Sequence, residues 1–208
     1  VLTSVEKINK IIEKPLEEEG SYHFESNKGM AIEVKNLSFG FDQKKLLDNL
    51  SFEIKAGQKV AIMGDGDSGK TVLLRMLTGA FQDFEGSLTF NQIPISNYNL
   101  NSLRSKIGIY LQKQDIFDAT LWENLTLGNP AIKEQDAIKL FGLLDLNDFF
   151  SSLPKGFDTD LEPTGKRLSS STVQKLLIAR ALLNSPTMLL LLSLIHISEP
   201  KRLRRISY

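Results

Sequence analysis

The chain has 208 residues, enough for one compact domain, and 41% of them are hydrophobic. Lys plus Arg and Asp plus Glu both number 25, so the chain has no net charge with which to recruit nucleic acid. Cysteine is absent, which excludes disulfides and cysteine-based metal sites and is compatible with a cytosolic location. No apolar run reaches the roughly 20 residues of a membrane span.

The first 29 residues are predicted to form a linker that leads into the domain. Apolar residues at helical spacing over 5–12 predict a helix, and Pro15 ends it. Charged residues interrupt this stretch, which is not the pattern of a signal peptide. Alternating apolar residues then predict antiparallel strands over 30–39 and 50–54. A turn is predicted between them at residues 43–45.

Residues 64–71 match the sequence pattern of a phosphate-binding loop. This pattern is a glycine, any four residues and then Gly-Lys-Thr. An apolar run at 59–63 predicts a buried strand before it, and residues 71–78 predict a helix after it. In such a loop, backbone N–H groups and the helix N-terminus bind phosphate, the lysine reaches the terminal phosphates, and the next hydroxyl ligates Mg²⁺. The alternative is a chance match in a glycine-containing turn. The predicted nucleotide-binding residues are Gly64, Asp65, Gly66, Asp67, Ser68, Gly69, Lys70, Thr71 and Val72, with Lys70 also catalytic and Thr71 also a metal ligand.

The rest of the chain mixes strands with a long helical stretch, which predicts an α/β domain with a helical insertion. The predicted elements are a strand at 86–90, a helix at 100–106, a buried strand at 107–111, helices at 120–127, 133–144 and 146–150, a loop at 151–167, a helix at 172–183 and a strand at 187–191.

Between residues 30 and 191 these motifs, in this order, resemble the nucleotide-binding domain of ABC transporters. Phe41 stands where that family has the aromatic residue that stacks on adenine, commonly tyrosine, and a phenylalanine ring face can also stack. Phe39 is expected to be the more buried of the two. Gln112 resembles the glutamine that completes the Mg²⁺ shell, senses the γ-phosphate and takes part in catalysis. The resemblance implies ATP and Mg²⁺ as cofactors.

The family's fold is a P-loop NTPase with a RecA-like core, an antiparallel β subdomain and a helical subdomain, which the resemblance places at about residues 113–183. Residues 114–124 are similar to the exporter branch, where this segment receives a helix of the transmembrane domain. Residues 4–13 resemble the linker from the last transmembrane helix. The implied partners are a transmembrane domain and a second nucleotide-binding domain, with no nucleic acid, at the cytoplasmic face of the cell membrane.

Two stretches depart from the family pattern. The stretch Leu168, Ser169, Ser170 and Ser171 stands where the family has Leu-Ser-Gly-Gly, the signature that contacts the partner domain's nucleotide. Ser169 is retained, but the two following serines lose the backbone freedom of glycine. Asp67 replaces a glycine of the loop; aspartate tolerates left-handed geometry, and we expect its carboxylate to weaken ATP binding.

The resemblance stops after Leu191. The family continues with an aspartate that holds Mg²⁺ and a glutamate that acts as general base, whereas this chain has Leu192 and Ser193. The domain is therefore expected to be incomplete at the C-terminus, so that this chain binds ATP without hydrolysing it. Residues 192–208 resemble one reading frame of a sequencing adapter and are predicted to be a non-native tail, in which His196 is incidental.

The leading hypothesis is the ATP-binding domain of an ABC exporter, which couples ATP binding and hydrolysis to transmembrane transport. A hydrolysis-poor regulatory nucleotide-binding module is an alternative, motivated by Asp67, Ser170 and Ser171. A soluble non-transport ABC ATPase of DNA repair or translation is a third, disfavoured by the exporter-like segments. A kinase with the same loop leaves the glutamine and signature stretches unexplained.

Overall fold

The structure is a computed structural model. It describes residues 17, 20–25, 29–41, 44–111 and 115–192, so the helix predicted over 5–12 and the predicted tail beyond Leu192 lie outside the described residues. The predicted boundaries of the linker (1–29), the domain (30–191) and the tail (192–208) stay predictions.

A four-stranded antiparallel sheet forms the first part of the domain, in the strand order β2-β1-β3-β4. Its strands are β1 (Ile32–Phe41), β2 (Lys44–Ile54), β3 (Glu85–Phe90) and β4 (Ile93–Pro94). At the start of β1, Ile32 and Val34 alternate with less buried neighbours, as the sequence pattern predicted, and Ile32 lies opposite both Ile54 and Phe90. The predicted antiparallel pair is present and longer than expected, because Lys44 and Lys45 pair with β1 and belong to the strand, not to the predicted turn.

The strand predicted over 59–63 is wrong. Residues 58–65 have no regular secondary structure, and Val60, Ile62 and Met63 are exposed, Met63 by 90%. A strand needs a neighbouring backbone to accept and donate its hydrogen bonds. Within the described residues this stretch has no such neighbour, so its apolar pattern alone does not make it a strand.

The predicted helix after the loop is confirmed as α1 (Lys70–Met76), with Leu73, Met76 and Leu77 buried. It packs with the antiparallel sheet and with α2 (Leu100–Arg104) in one hydrophobic core. A parallel pair, β5 (Ile107–Tyr110) with β8 (Met188–Leu191), joins the middle of the chain to its late strand. Leu190 of β8 contributes to this same core.

The helical part forms a second hydrophobic core, centred on Leu121, Leu125, Phe141 and Leu177. A capping box starts its first helix: the Thr120 hydroxyl accepts from the Glu123 backbone N–H, and the Glu123 carboxylate accepts from the Thr120 backbone N–H. The elements of this part are β6 (Ala119–Thr120), α3 (Leu121–Thr126), α4 (Glu134–Leu143), α5 (Asn147–Ser151), β7 (Asp160–Leu161) and α6 (Ser170–Leu183), with β6 and β7 paired antiparallel.

Membrane-spanning length is not reached by any helix in the described part of the chain. Its longest helix, α6, has 14 residues.

Candidate nucleotide-binding site

The loop between residues 64 and 71 has two residues in the left-handed region. Asp67 has φ 60°, as its predicted tolerance of this geometry allows, and Gly69 has φ 82°. A Cβ added at Gly69 would lie 2.9 Å from Leu46 O and from Leu47 Cδ2, so only glycine fits between the loop and β2. Left-handed residues between right-handed ones turn successive N–H groups toward one side, which is the backbone geometry of an anion site.

Lys70 folds over its own loop. Its Nζ donates to Gly64 O at 2.7 Å, to Asp65 O at 2.6 Å and to Ser68 Oγ at 3.0 Å. An ammonium group has three protons, and the loop accepts all of them. A phosphate oxygen that binds Lys70 must therefore take over at least one of these contacts.

The oxygen ligands that Mg²⁺ prefers are few in this region. Thr71 is exposed in the first turn of α1, and Val72 is half-buried against the core. Among the described residues no group of three or more His, Cys, Asp or Glu side chains could hold a metal ion. Mg²⁺ commonly keeps several waters and is bound through phosphate oxygens plus one or two protein ligands, so Thr71 fits an ion carried in by a triphosphate. Gln112, the other predicted ligand, lies outside the described residues.

Three phenylalanine rings cluster near the end of β1. Phe41 is 50% exposed and Phe39 is 9% exposed, which confirms the prediction that Phe39 is the more buried. Their ring centroids are 5.0 Å apart in an edge-to-face arrangement. Phe81 lies 4.9 Å from Phe39 and 5.5 Å from Phe41. The sequence interpretation missed Phe81, although an aromatic residue shortly after the loop helix was a usable signal.

β2 connects these rings to the loop. Leu47 pairs with Phe39 in the sheet, and it is also the side chain that contacts Gly69. Phe41 lies two residues beyond Phe39, about 7 Å along the strand. The exposed aromatic face and the phosphate-binding loop thus belong to one surface of the first core.

The signature stretch belongs to the other core. Ser169 is the N-cap of α6: its Oγ accepts from the Thr172 backbone N–H at 3.0 Å and lies 2.8 Å from Thr172 Oγ1. Leu168 packs against the helical core, and Ser170 and Ser171 are exposed. The predicted helix began at residue 172, whereas α6 begins at Ser170. It starts earlier because the Ser169 hydroxyl accepts a hydrogen bond from a backbone N–H group of the first turn.

A buried arginine ties α6 to α3 and to the segment before it. Arg180 Nε donates to Asn124 O at 2.6 Å, and its Nη groups donate to Asn124 Oδ1 at 3.1 Å and Asp115 O at 3.2 Å. Its guanidinium lies 4.9 Å from the centroid of the Phe117 ring. Burial lowers the pKa of Arg180. In the described part of the chain no carboxylate forms an ion pair with it.

Asn124 completes this network. Its Nδ2 donates to Phe117 O and Thr120 O, both at 3.0 Å, and its Oδ1 accepts from the Phe117 backbone N–H at 2.8 Å. The stretch around Asn124 supported the exporter resemblance, but its pairing with Arg180 spans 56 residues and left no local sequence signal.

A second arginine ties the leader, the predicted linker of residues 1–29, to the end of α1. Arg104 donates from its two Nη atoms to the Glu17 carboxylate at 2.7 and 2.5 Å, and from Nε to Thr78 O at 2.9 Å. The hydrogen bond from Arg104 is the main cause that lowers the pKa of Glu17. The backbone of Tyr22 also pairs with that of Asn97 and Asn99. Glu17 and the backbone of Tyr22 are therefore fixed to the first core.

Similar proteins are numerous. A family model described as ABC transporter matches residues 47–191. Heavy metal tolerance factor 1 of Caenorhabditis elegans is 36% identical over 161 residues, which cover 77% of this chain and 20% of that protein. The ATP-dependent lipid A-core flippase of Syntrophus aciditrophicus is 33% identical over 160 residues, covering 77% of this chain and 27% of that protein.

A solved structure, described as a bacterial Atm1-family ABC exporter with ATP bound, matches with a TM-score of 0.81 at 28% identity. The match covers 91% of this chain and 34% of that one, so the chain spans about a fifth to a third of the length of these three relatives. The predicted P-loop NTPase fold is thereby confirmed, although residues 59–63 form no strand. The chain belongs to the ABC transporter family, as part of the ATP-binding domain of the exporter type.

Proposed function

We propose that this chain binds ATP on the loop at 64–71 as one half of a composite site, within a longer protein that couples ATP hydrolysis to export. The observation that carries the proposal is the loop itself, in which Asp67 and Gly69 turn the backbone and Lys70 is folded over it. N–H groups of the loop would bind a phosphate chain, and Lys70 would exchange a loop carbonyl for a terminal phosphate oxygen. Catalysis of this kind rests on positioning and charge stabilisation.

The remaining roles follow the chemistry of the side chains. Phe41 stacks on the base with its exposed face. The Thr71 hydroxyl and Gln112 serve as oxygen ligands of a Mg²⁺ ion that arrives with the triphosphate. When bound, such an ion would supply positive charge against the phosphates.

The second half of the site comes from another nucleotide-binding domain. The Ser169 oxygen is used by the helix cap, but either Ser169 or Thr172 can supply the hydrogen between their hydroxyls. When Thr172 donates, the Ser169 proton is available to a phosphate oxygen of the partner domain's nucleotide. Ser170 and Ser171 are exposed beside it, and their small side chains leave room for a ligand.

The proposed partners are a transmembrane domain, to which residues 1–29 form the linker, and a second nucleotide-binding domain. The proposed location is the cytoplasmic face of the cell membrane. Similarity to a heavy metal tolerance factor, to a lipid A-core flippase and to an ABC exporter structure supports this assignment.

The test is ATP turnover by the complete transporter protein, with and without Lys70→Ala, beside this 208-residue chain. We expect turnover that Lys70→Ala abolishes, and no turnover by the chain, because Leu192 and Ser193 cannot act as a base. A complete protein that binds ATP without turnover would identify the hydrolysis-poor regulatory module. Turnover that survives Lys70→Ala would contradict the assignment of the site.

A further inference from the structure

The three-ring cluster is built from two parts of the chain that meet beside the loop. Phe39 and Phe41 come from the end of β1, and Phe81 comes from the connection between α1 and β3. Phe41 is half exposed, so part of its ring is accessible to a ligand. Its contacts with Phe39 and Phe81 are edge-to-face, with interplanar angles of 82° and 75°.

This geometry restrains the Phe41 ring. The ring centroids of Phe39 and Phe81 lie 4.9 Å apart and their planes differ by only 33°, so the two rings form one wall. The plane of the Phe41 ring is steeply inclined to both rings of this wall. Edge-to-face contacts place the positive ring edge against a negative ring face and favour one orientation. A ring fixed in this way loses less conformational freedom when a flat ligand stacks on it.

The wall is also tied to the loop through both of its parts. Phe39 pairs with Leu47, which contacts Gly69 of the loop. Phe81 follows α1, the helix that begins at Lys70. The two connections set where the accessible part of the Phe41 ring lies relative to bound phosphates.

We propose that Phe81 is a positioning residue for the nucleotide base: it holds Phe41 so that a base can stack while the phosphates occupy the loop. The proposal rests on the proposed function, since it deepens the assignment of Phe41. The Phe41 ring offers only carbon and hydrogen, so it recognises the flat π-face that every nucleobase presents, not the polar edge of one base. The ligand class is a nucleoside triphosphate, as opposed to an inorganic polyphosphate.

The test compares MgATP with magnesium tripolyphosphate, which has the phosphates but no base. Calorimetry on the 208-residue chain gives both affinities for the parent and for Phe81→Leu, Phe81→Tyr and Phe52→Leu. Phe52 is half-buried on β2 and lies outside the cluster, so its variant controls for a general loss of packing. If Phe81→Leu does not fold, Phe81→Met replaces it.

Phe81→Leu should weaken ATP binding about twofold to tenfold and leave tripolyphosphate binding unchanged. Phe81→Tyr should restore ATP binding because it keeps a ring, and Phe52→Leu should alter neither affinity. Equal weakening of both ligands by Phe81→Leu would show a purely structural role and overturn the proposal. Unchanged ATP binding in Phe81→Leu would overturn it as well.

Failure of the proposed function has a different pattern. If Lys70→Ala binds ATP as well as the parent does, the loop is not the binding site and the proposed function fails. If the parent binds ATP no tighter than tripolyphosphate while Lys70→Ala loses both, the loop assignment stands. In that case Phe41 adds nothing, and the role of Phe81 is rejected alone.

Discussion

Asp67 occupies a left-handed backbone position inside the loop, at φ 60°. A non-glycine residue in this region is uncommon, and Asp and Asn tolerate it better than others. The drawback is a carboxylate on the loop that should receive phosphate. We therefore infer that Asp67 suits the backbone of the site but weakens phosphate binding through its charge.

Two substitutions separate these effects. Asp67→Asn keeps the left-handed tolerance and removes only the charge, whereas Asp67→Gly also relieves the backbone. We expect both to bind MgATP about threefold to tenfold tighter than the parent, because one like charge near the phosphates is removed. Calorimetry at low and high salt measures this, and the gain should shrink at high salt. Affinities equal to that of the parent in both variants would refute the role of the carboxylate.

The prediction of these residues from sequence had a local basis. The loop and its left-handed aspartate depend on neighbouring residues, and the pattern at 64–71 records them, whereas Phe41 was identified by its resemblance to the family's aromatic position. Phe81, Arg104 and the Asn124–Arg180 pair depend on contacts between distant stretches, and no local pattern encodes those. The Thr120–Glu123 capping box is different, because its spacing of three residues is itself a local signal of a helix start.

At the scale of elements, one buried pair, Arg180 with Asn124, joins α6 to α3. Arg180 is a buried cation whose acceptors are all oxygens of Asn124 and Asp115. A buried group left without its partner bears its full desolvation penalty. The pair therefore specifies how residues 115–124 sit on α6.

Asn124→Ala should lower the free energy of unfolding by about 2–4 kcal/mol, since it strips acceptors and donors from buried groups at once. Trp122 is the single tryptophan of the chain and lies in α3, so its fluorescence follows urea unfolding of this region. Asn129→Ala is the matched control, because its amide contact with Asn184 is exposed, and it should change stability by less than about 1 kcal/mol. Equal effects of the two substitutions would contradict the account of the network.

The leader gives a pH-dependent prediction. Arg104 lowers the pKa of Glu17 in the folded state below its ordinary 4.5, so the ion pair contributes fully above that pH. The contribution is lost as the pH falls through the lowered pKa. It should stay below about 1 kcal/mol, because the Glu17 side chain is 41% exposed and screened by solvent.

Thermal unfolding of the parent and of Glu17→Gln as a function of pH tests this. The parent should be the more stable at neutral pH, and the difference should vanish in acid below the lowered pKa. Glu25→Gln, at an exposed leader position, is the control. A difference that stays constant through the acid range would exclude the ion pair as its source.

Strand prediction shows what an element requires beyond its own pattern. The apolar runs at 107–111 and 187–191 both became strands because they pair with each other. The run at 59–63 is equally apolar but has no neighbouring strand in the described residues, and its side chains are exposed. Hydrophobic pattern predicts burial only where a partner backbone is present.

At the scale of the whole molecule, two hydrophobic cores carry different parts of the site. The first holds the antiparallel sheet, α1 and the loop, and the second holds the helices that carry the signature stretch. One chain therefore carries the proposed phosphate-binding residues and the proposed signature residues on different cores. This arrangement supports a composite site made by two domains, as proposed.

Binding of MgATP to the 208-residue chain tests the central claim most directly. Isothermal titration calorimetry should show saturable binding at one site for the parent. Lys70→Ala should bind at least about tenfold more weakly, since it removes a charge-assisted phosphate contact. Lys59→Ala, an exposed lysine outside the loop, should bind as the parent does. Equal affinity of Lys70→Ala and the parent would contradict the claim that residues 64–71 hold the nucleotide.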